Sequence, residues 1–438
     1  MSQMRAPLLF AAMACLLALV GFGQSWSLAL AILNLCLISA VMSLGVNMQW
    51  GYVGLFNAGV MGFAALGGVA AMLVSVPPVT EAWAAGGGGI LMSGLILILT
   101  AVAAMVAYRK LKGVPYRGLL TAVIAVVGYG LALLVFSPAA DAVEAVDPAK
   151  TGFLGGLGMP ILFSWIAGGL LAAGAAWVVG KVSLGLRSDY LAIATLGISE
   201  IIVAILKNED WLTRGVKNVN GLPRPVHYEV EVQQEAWFQD LTAALGADVV
   251  EFSSIWVKLS YSALFLVVLV LLVFLAQRAL RSPWGRMMRA IRDNETAANA
   301  MGKNVTSRHL EVFVLGSAVI GVAGAMLTTL DGQLTPASYQ PLRFTFLIWV
   351  MVIVGGSGNN LGAVLGGFVV WFAWIEAEPV GLFMIEFLTS GMAEDNALRN
   401  HLIESAPFMR PIAMGLILLL VLRFAPRGLI PERSGGVS

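Results

Sequence analysis

The chain has 438 residues, of which 59% are hydrophobic and only 12% charged, and its formal net charge is +1. A soluble globular protein carries about 25% charged residues, so this composition excludes an ordinary soluble domain. Many apolar stretches approach the roughly 20 residues that cross a bilayer. We therefore predict an all-α, polytopic membrane helix bundle of roughly 10 to 12 segments, including broken or re-entrant helices. Residues 1–438 are expected to form a single membrane domain.

The candidate spans follow one another along the whole chain. They are 7–23, 28–48, 52–74, 90–108, 118–137, 159–180, 190–206, 257–276, 309–330, an interrupted span of 344–354 with 361–376, and 409–424. The first also has the pattern of a secretory signal peptide, because Arg5 precedes an apolar run that ends in small residues. The sequence therefore leaves open whether residues 1–23 are retained.

The charged segments alternate in sign from one connection to the next. Basic residues cluster at 109–117, 181–187, 278–308 and 423–433, whereas the intervening connections are acidic. Connections rich in Lys and Arg stay in the cytoplasm. Both termini are therefore predicted to be cytoplasmic if the first span is retained, and 207–256 is predicted to be an external segment.

Two patterns predict local structure within the external segment. Val226, Tyr228, Val230 and Val232 alternate with polar residues, which is typical of a short strand. The apolar residues at 237, 241 and 245 recur at a spacing of four, which predicts one helix face. That face could lie on the outer membrane surface, under a partner protein, or against its own domain.

Two apolar regions are rich in glycine, namely 51–68 and 355–367. In the second, Gly358, Gly362 and Gly366 recur every four residues. Small residues at that spacing let helices approach closely. Interrupted helices that contact a substrate near the membrane midplane are the alternative interpretation.

The segment 278–308 is a basic island between two apolar runs. Its seven Arg and Lys residues outnumber Asp293 and Glu295. Ser282 and Pro283 are typical of a helix start, and Gly302 of a helix end. We predict one capped cytoplasmic helix over 282–301, on which a soluble protein docks or which lies along the membrane surface.

A few polar residues lie inside apolar spans. Glu200 is the single acid of its span and lies about 15 Å beyond Tyr190, near the middle of the hydrocarbon layer. It must face the bundle interior or water, or be protonated, because a charge there is costly. Hydrogen bonding to a neighbouring helix and a role in a permeation path both remain open, and Thr195 is a local partner candidate. Asn47 and Asn57 could hold helices together or line the same path.

Several classes of site are missing from the sequence. No phosphate-cradling loop, nucleophile elbow or zinc-protease motif occurs, and the three histidines show no metal-ligand spacing. We therefore predict no catalytic or metal site and no cofactor in this chain; the resemblance described below implies a transport subunit and not an enzyme. A secondary transporter that uses Glu200 as an ion site, or an intramembrane enzyme with a second polar group, are the rival interpretations.

Four passages carry a resemblance to a known family. Residues 43–68, 188–202, 282–326 and 350–367 resemble permease subunits of branched-chain amino-acid ABC transporters, specifically the M-type subunit. The chain departs from the family pattern after residue 208, where only Asn220-Gly221 fits, and at Thr296. Related permeases carry urea or short amides, so such an importer is the alternative.

The resemblance implies partners and roles. The partners would be a second homologous permease, two ATPase subunits that bind ATP and Mg, an exported substrate-binding protein and the lipid bilayer of a bacterial inner membrane, with no nucleic acid. The segment 289–300 would couple to the ATPase. The contact residues would be Arg289, Arg292, Asp293 and Glu295 as polar contacts, with Ile291 and Ala298 as apolar ones. The translocation path would include Asn47, Asn57, Thr195 and Glu200.

Overall fold

The computed structural model describes residues 2–393 and 396–432, and most of them are helical. Within these ranges, ten helices are long and apolar enough to cross a membrane. The predicted all-α membrane bundle is therefore confirmed. Arg433, one of the basic residues predicted to be cytoplasmic, lies outside the described residues.

The helices match the predicted spans closely, since each apolar run of sufficient length forms one. In chain order they are α1 (Ser2–Gly23), α2 (Trp26–Val53), α3 (Val60–Ser75), α4 (Thr80–Ala82), α5 (Gly88–Lys110), α6 (Arg117–Glu144), α7 (Leu162–Ser183), α8 (Ser188–Asn208), α9 (Asp210–Thr213), α10 (Glu229–Gln234), α11 (Ala236–Leu245), α12 (Val249–Arg281), α13 (Pro283–Asp293), α14 (Glu295–Ala300), α15 (Val305–Asp331), α16 (Pro341–Gly355), α17 (Asn360–Leu388), α18 (Ala397–Glu404) and α19 (Met409–Phe424). A π-helical turn, Trp83–Gly87, joins α4 to α5. Two short strands, β1 (Val219–Asn220) and β2 (Gln333–Leu334), pair antiparallel.

The centre of the bundle is built on α2 and α15. Helix α15 packs against α2, α3 and α7, and α2 also packs against α12 and α17. Glycines permit the close approach of α3, α7 and α15: a side chain at Gly67 would collide with the backbone of Gly321, and one at Gly321 with that of Gly168. Helices α5 and α6 form a hairpin whose apolar side chains are mostly exposed, as expected for a lipid-facing addition.

Two interruptions divide the bundle as the glycine-rich regions predicted. Residues 54–59 are non-helical between α2 and α3, and residues 356–359 are non-helical between α16 and α17. Gly362 and Gly366 pack directly on the backbone of α16, at Gly355 and Met351. Gly358 instead adopts a φ of 83°, a left-handed conformation that favours glycine. The interpretation as close helix packing is therefore confirmed for two of the three glycines.

The external segment differs from its predicted secondary structure. The expected strand at 226–232 is wrong, because Glu229–Gln234 forms helix α10, in which the Tyr228 backbone N–H donates to Glu231 Oε2 at 3.0 Å. Alternation alone cannot form a strand where no neighbouring strand pairs with it. The pairing occurs earlier, through β1.

Helix α11 forms as predicted, but its buried face is a different one. Phe238 and Thr242 are buried, while Trp237 and Leu245 are exposed. Phe238 packs against the rings of Phe252 and Trp256. The helix therefore packs on its own domain, at the start of α12.

The basic island forms two helices instead of the predicted one. Helix α13 ends at Asp293, and Asn294 then adopts an extended conformation in which its side chain caps α14 by accepting from the Ala297 N–H at 2.9 Å. Ser282 and Pro283 begin α13, and Gly302 follows the end of α14 with a φ of 75°, as the capping pattern predicted.

Candidate functional site

The basic island lies against the end of α2 through one apolar face. Gly285, Met288 and Ile291 are buried on α13, which packs against α2 and α12. Ile291 has an exposed fraction of 1%, so the expected contact of Ile291 with an ATPase is wrong for this conformation. The spacing of Trp284, Met288 and Ile291 by four and three residues is the sequence signal that indicates this buried stripe.

Arg292 ties three separate parts of the chain together. Its guanidinium donates to the Gly51 carbonyl at the end of α2 and forms an ion pair with Glu432 Oε2 at 3.0 Å. It also bonds to Asp293 at 3.3 Å. Only 25% of the Arg292 side chain is exposed. We therefore interpret Arg292 as an internal tie, which leaves little of it for a partner.

The other predicted coupling residues remain accessible. Asp293 keeps 70% of its side-chain surface, and Glu295 is exposed at the start of α14. Arg289 is partly exposed, and Ala298 is partly buried against the core. The structure thus leaves Arg289, Asp293 and Glu295 accessible on α13 and α14, while Ala298 packs against the core.

An open groove runs beside α13 on the same surface. It has a volume of about 940 Å³ and is lined from α13 and from the C-terminal segment 426–432. Its charged lining residues are Arg286, Arg289, Arg292, Asp293, Arg427 and Glu432. The C-terminal segment reaches this place because the Leu429 and Ile430 N–H groups donate to the carbonyls of Val354 and Gly355 at 2.8 and 2.9 Å.

The contribution of the C-terminal segment was missed by sequence reasoning. The basic residues after α19 gave no indication that the chain folds back to α16. Four arginines line this groove. The groove therefore favours contact with a protein surface that is rich in acidic side chains or carbonyl groups.

Asn47 and Asn57 are fully buried and use their amides to join helices. Asn47 donates to Asn360 Oδ1 at 3.1 Å and accepts from the Gly358 N–H at 2.8 Å. Asn57 donates to Gln49 Oε1 at 2.9 Å and accepts from the Gly59 N–H at 2.8 Å. These bonds fix the two non-helical interruptions, which favours the helix-joining interpretation over a path-lining one.

Thr195 belongs to the same network. Its hydroxyl accepts from the Ala58 N–H and donates to the Ala192 carbonyl, both at 3.0 Å. Thr195 therefore holds α8 against the interruption between α2 and α3. Its expected partnership with Glu200 is absent from the described residues.

Glu200 lies on the outside of this bundle. It is exposed on α8, on the face that also presents Ile193 and Ile201, whereas Thr195 and Ser199 point into the bundle. Of the alternatives given for Glu200, the structure excludes a position inside the bundle of this chain. Glu200 is 12 residues from the start of a 21-residue helix, about 18 Å along it. A carboxylate at that depth requires cover by protein or water instead of lipid.

Comparison with known proteins gives consistent matches. A profile of the family described as branched-chain amino acid transport system, permease component, matches residues 122–422. The chain is 32% identical over 200 residues to the LivM permease proteins of the high-affinity branched-chain amino acid transport systems of Salmonella typhimurium and Escherichia coli. That alignment covers 45% of the chain and 46% of each relative, so the chain spans about half of their length.

A third relative aligns over almost the full length. The probable branched-chain amino acid transport permease protein LivM of Methanocaldococcus jannaschii is 24% identical over 403 residues, which is 90% of both chains. No solved structure matches the chain.

Proposed function

The chain belongs to the family of branched-chain amino acid transport permease components, and from that premise we propose that it is one membrane-spanning half of an ATP-driven importer. The ten membrane-length helices among the described residues, together with its permease relatives, make it a multi-pass protein of the inner membrane. The proposed cargo is a branched-chain amino acid. ATP and Mg would bind to two separate ATPase subunits, and an exported binding protein would deliver the cargo to the external segment.

The observation that carries the proposal is the protruding pair of helices α13 and α14 beside an arginine-lined groove. A connection between two membrane spans needs only a few polar residues, yet this one is folded, capped and held in place by Arg292. Such a surface gives a soluble ATPase subunit a fixed place to bind. ATP can shift the permease between two conformations only if the motor binds them with different affinity.

The test reverses charges that are accessible. The double substitution Arg286→Glu and Arg289→Glu changes two groove residues and leaves the Arg292 tie intact. We expect the ATPase subunits to bind at least about tenfold more weakly, since loss of charge complementarity costs a few kcal/mol at such interfaces. The measurement is the amount of ATPase that co-purifies with the membrane-inserted permease.

A matched control uses Lys112→Glu, in an exposed basic connection outside the groove. It should leave ATPase binding unchanged. Full ATPase binding and full nucleotide-driven uptake in the Arg286/Arg289 variant would contradict the proposed coupling surface. Uptake that follows an ion gradient without nucleotide would instead favour the secondary-transporter alternative.

The exposed Glu200 supports a second permease subunit as a partner. One face of α8 presents Ile193, Glu200 and Ile201. Because the carboxylate of Glu200 is costly to place in lipid, we propose that a homologous subunit covers this face. A cysteine at Ile193 should cross-link to that subunit in membranes. A cysteine at Leu97, exposed on the outlying hairpin, is the control. Equal cross-linking at both positions would refute this placement.

A further inference from the structure

An internal cavity lies on the side of the bundle opposite to the coupling surface. It has a volume of about 240 Å³ and lies between α2, α15, α16 and α17. Most of its wall is aliphatic, with Leu35, Ile38, Met42, Leu347, Ile348 and Met351. Polar groups reach it from the end of α15 and from the following connection, residues 333–339.

Asp331 gives the cavity a negative charge that the chain does not neutralise. It is the last residue of α15, where the helix dipole disfavours a carboxylate. Among the described residues no Lys, Arg or His forms an ion pair with it. A cation entering the cavity would therefore be favoured at this position.

Two further polar groups that line the cavity lack partners within the described residues. They are the indole N–H of Trp371 and the hydroxyl of Thr335, both buried. The indole N–H can only donate. By contrast, Tyr339 already shares a hydrogen bond of 2.8 Å with Thr328, and burial raises the pKa of its phenol, which stays neutral. The residues that line the cavity therefore hold two unused donors besides the carboxylate of Asp331.

We propose that this cavity is the transit site for a free α-amino acid with a branched aliphatic side chain. Asp331 would receive the ammonium group, Trp371 and Thr335 would donate to the carboxylate, and the aliphatic wall around Ile38 and Ile348 would hold the side chain. Urea and short amides carry neither the ammonium charge nor the aliphatic bulk, so the lining favours an amino acid. This inference rests on the proposed function and specifies where the cargo binds.

The position of the cavity fits delivery from outside. β2 (Gln333–Leu334) leads directly from Asp331 and pairs with β1 of the external segment, and the Leu222 N–H donates to the Gly332 carbonyl at 3.0 Å. The external segment, where a binding protein would dock, thus contacts the connection that lines the cavity. The binding protein would therefore release the amino acid next to the cavity that the amino acid enters.

The experiment uses the complete transporter in proteoliposomes with photo-leucine, a diazirine isostere of leucine, as the probe. Irradiation followed by peptide mass spectrometry should place the label on α2 or α16, at the cavity wall. The substitution Asp331→Asn should reduce labelling and nucleotide-driven leucine uptake by about tenfold or more, as expected for a lost charged hydrogen bond. Trp371→Phe should reduce labelling by about threefold.

Matched controls separate binding from folding. Asp240→Asn removes an exposed carboxylate of the external segment and should leave labelling unchanged. Basal ATP hydrolysis without substrate should persist in all variants, which shows that the complex is assembled. Wild-type uptake with label outside the cavity, or full labelling in Asp331→Asn, would overturn the cavity assignment alone. Absence of nucleotide-driven uptake in the wild type would overturn the proposed function itself.

Discussion

Replacement of Arg292 by alanine should loosen the C-terminal segment, residues 426–432, where it folds back beside α13. The guanidinium bonds to the buried Gly51 carbonyl and pairs with Glu432, and the two charged side chains are only 25% and 26% exposed. A hydrogen bond from a charged donor contributes about 1.5–3 kcal/mol, and the lower end applies at this partial exposure. The ion pair adds at most about 1 kcal/mol after solvent screening. The Gly51 bond holds α13 to α2, and only the ion pair with Glu432, worth about 1 kcal/mol, joins the C-terminal segment to Arg292.

The backbone amides of Leu429 and Ile430 report on this release. They donate to Val354 and Gly355 in the folded-back segment and become exposed when it opens. A loss of about 1 kcal/mol raises the open population about fivefold, and amide hydrogen exchange follows the open population. Hydrogen–deuterium exchange with mass spectrometry on peptides that contain residues 428–431 measures this change.

The control removes the weaker partner of the same arginine. Asp293 is 70% exposed, and its bond to Arg292 is long at 3.3 Å. Asp293→Asn should therefore change exchange by less than about threefold. The role of Arg292 as a tie would be refuted if the exchange rate in Arg292→Ala stayed within threefold of the wild-type rate. It would also be refuted if the two substitutions had equal effects.

Three further predictions test the fold. Asn47→Ala should lower the unfolding temperature measurably, because it leaves the buried Gly358 N–H without its acceptor, at a cost of about 1–3 kcal/mol. An unfolding temperature within error of the wild-type value would contradict the role of this amide. Gly366→Leu should abolish correct folding, seen as loss of the monodisperse species in size-exclusion chromatography, since any side chain there collides with α16. A cysteine at Gln234 should react with an impermeant thiol reagent from outside, and one at Asn294 should not; the opposite pattern would invert the topology.

The membrane helices could be predicted from sequence because one physical requirement dominates them. An apolar run must reach the length of the hydrocarbon layer, and α2, α8 and α12 each satisfy this in their composition alone. The interruptions were also predictable, since the glycine-rich stretches 51–68 and 355–367 signal close packing. These features depend on local composition.

The predictions that failed concern features that depend on contacts between residues far apart in the sequence. Arg292 was predicted to contact the ATPase, but in the structure it bonds to Gly51, 241 positions away, and nothing in the spacing of the island indicates that pairing. Glu200 was recognised as a costly charge, yet whether it faces the bundle or the outside depends on how α8 is rotated against α3. The strand expected at 226–232 failed because strand formation depends on a pairing neighbour.

The same helices contribute to both the proposed coupling surface and the proposed transit cavity. Arg292 donates a hydrogen bond to the Gly51 carbonyl at the end of α2. Glu432, the ion-pair partner of Arg292, belongs to the C-terminal segment, which is hydrogen-bonded to the end of α16. Farther along the membrane, α2 and α16 form the aliphatic wall of the cavity through Ile38 and Ile348. Because both helices are tightly packed through glycine contacts and buried amides, a displacement of α13 cannot be absorbed locally. A motor that pulls on α13 would therefore act on the walls of the cavity, and this is the arrangement that an importer with its motor in separate subunits requires.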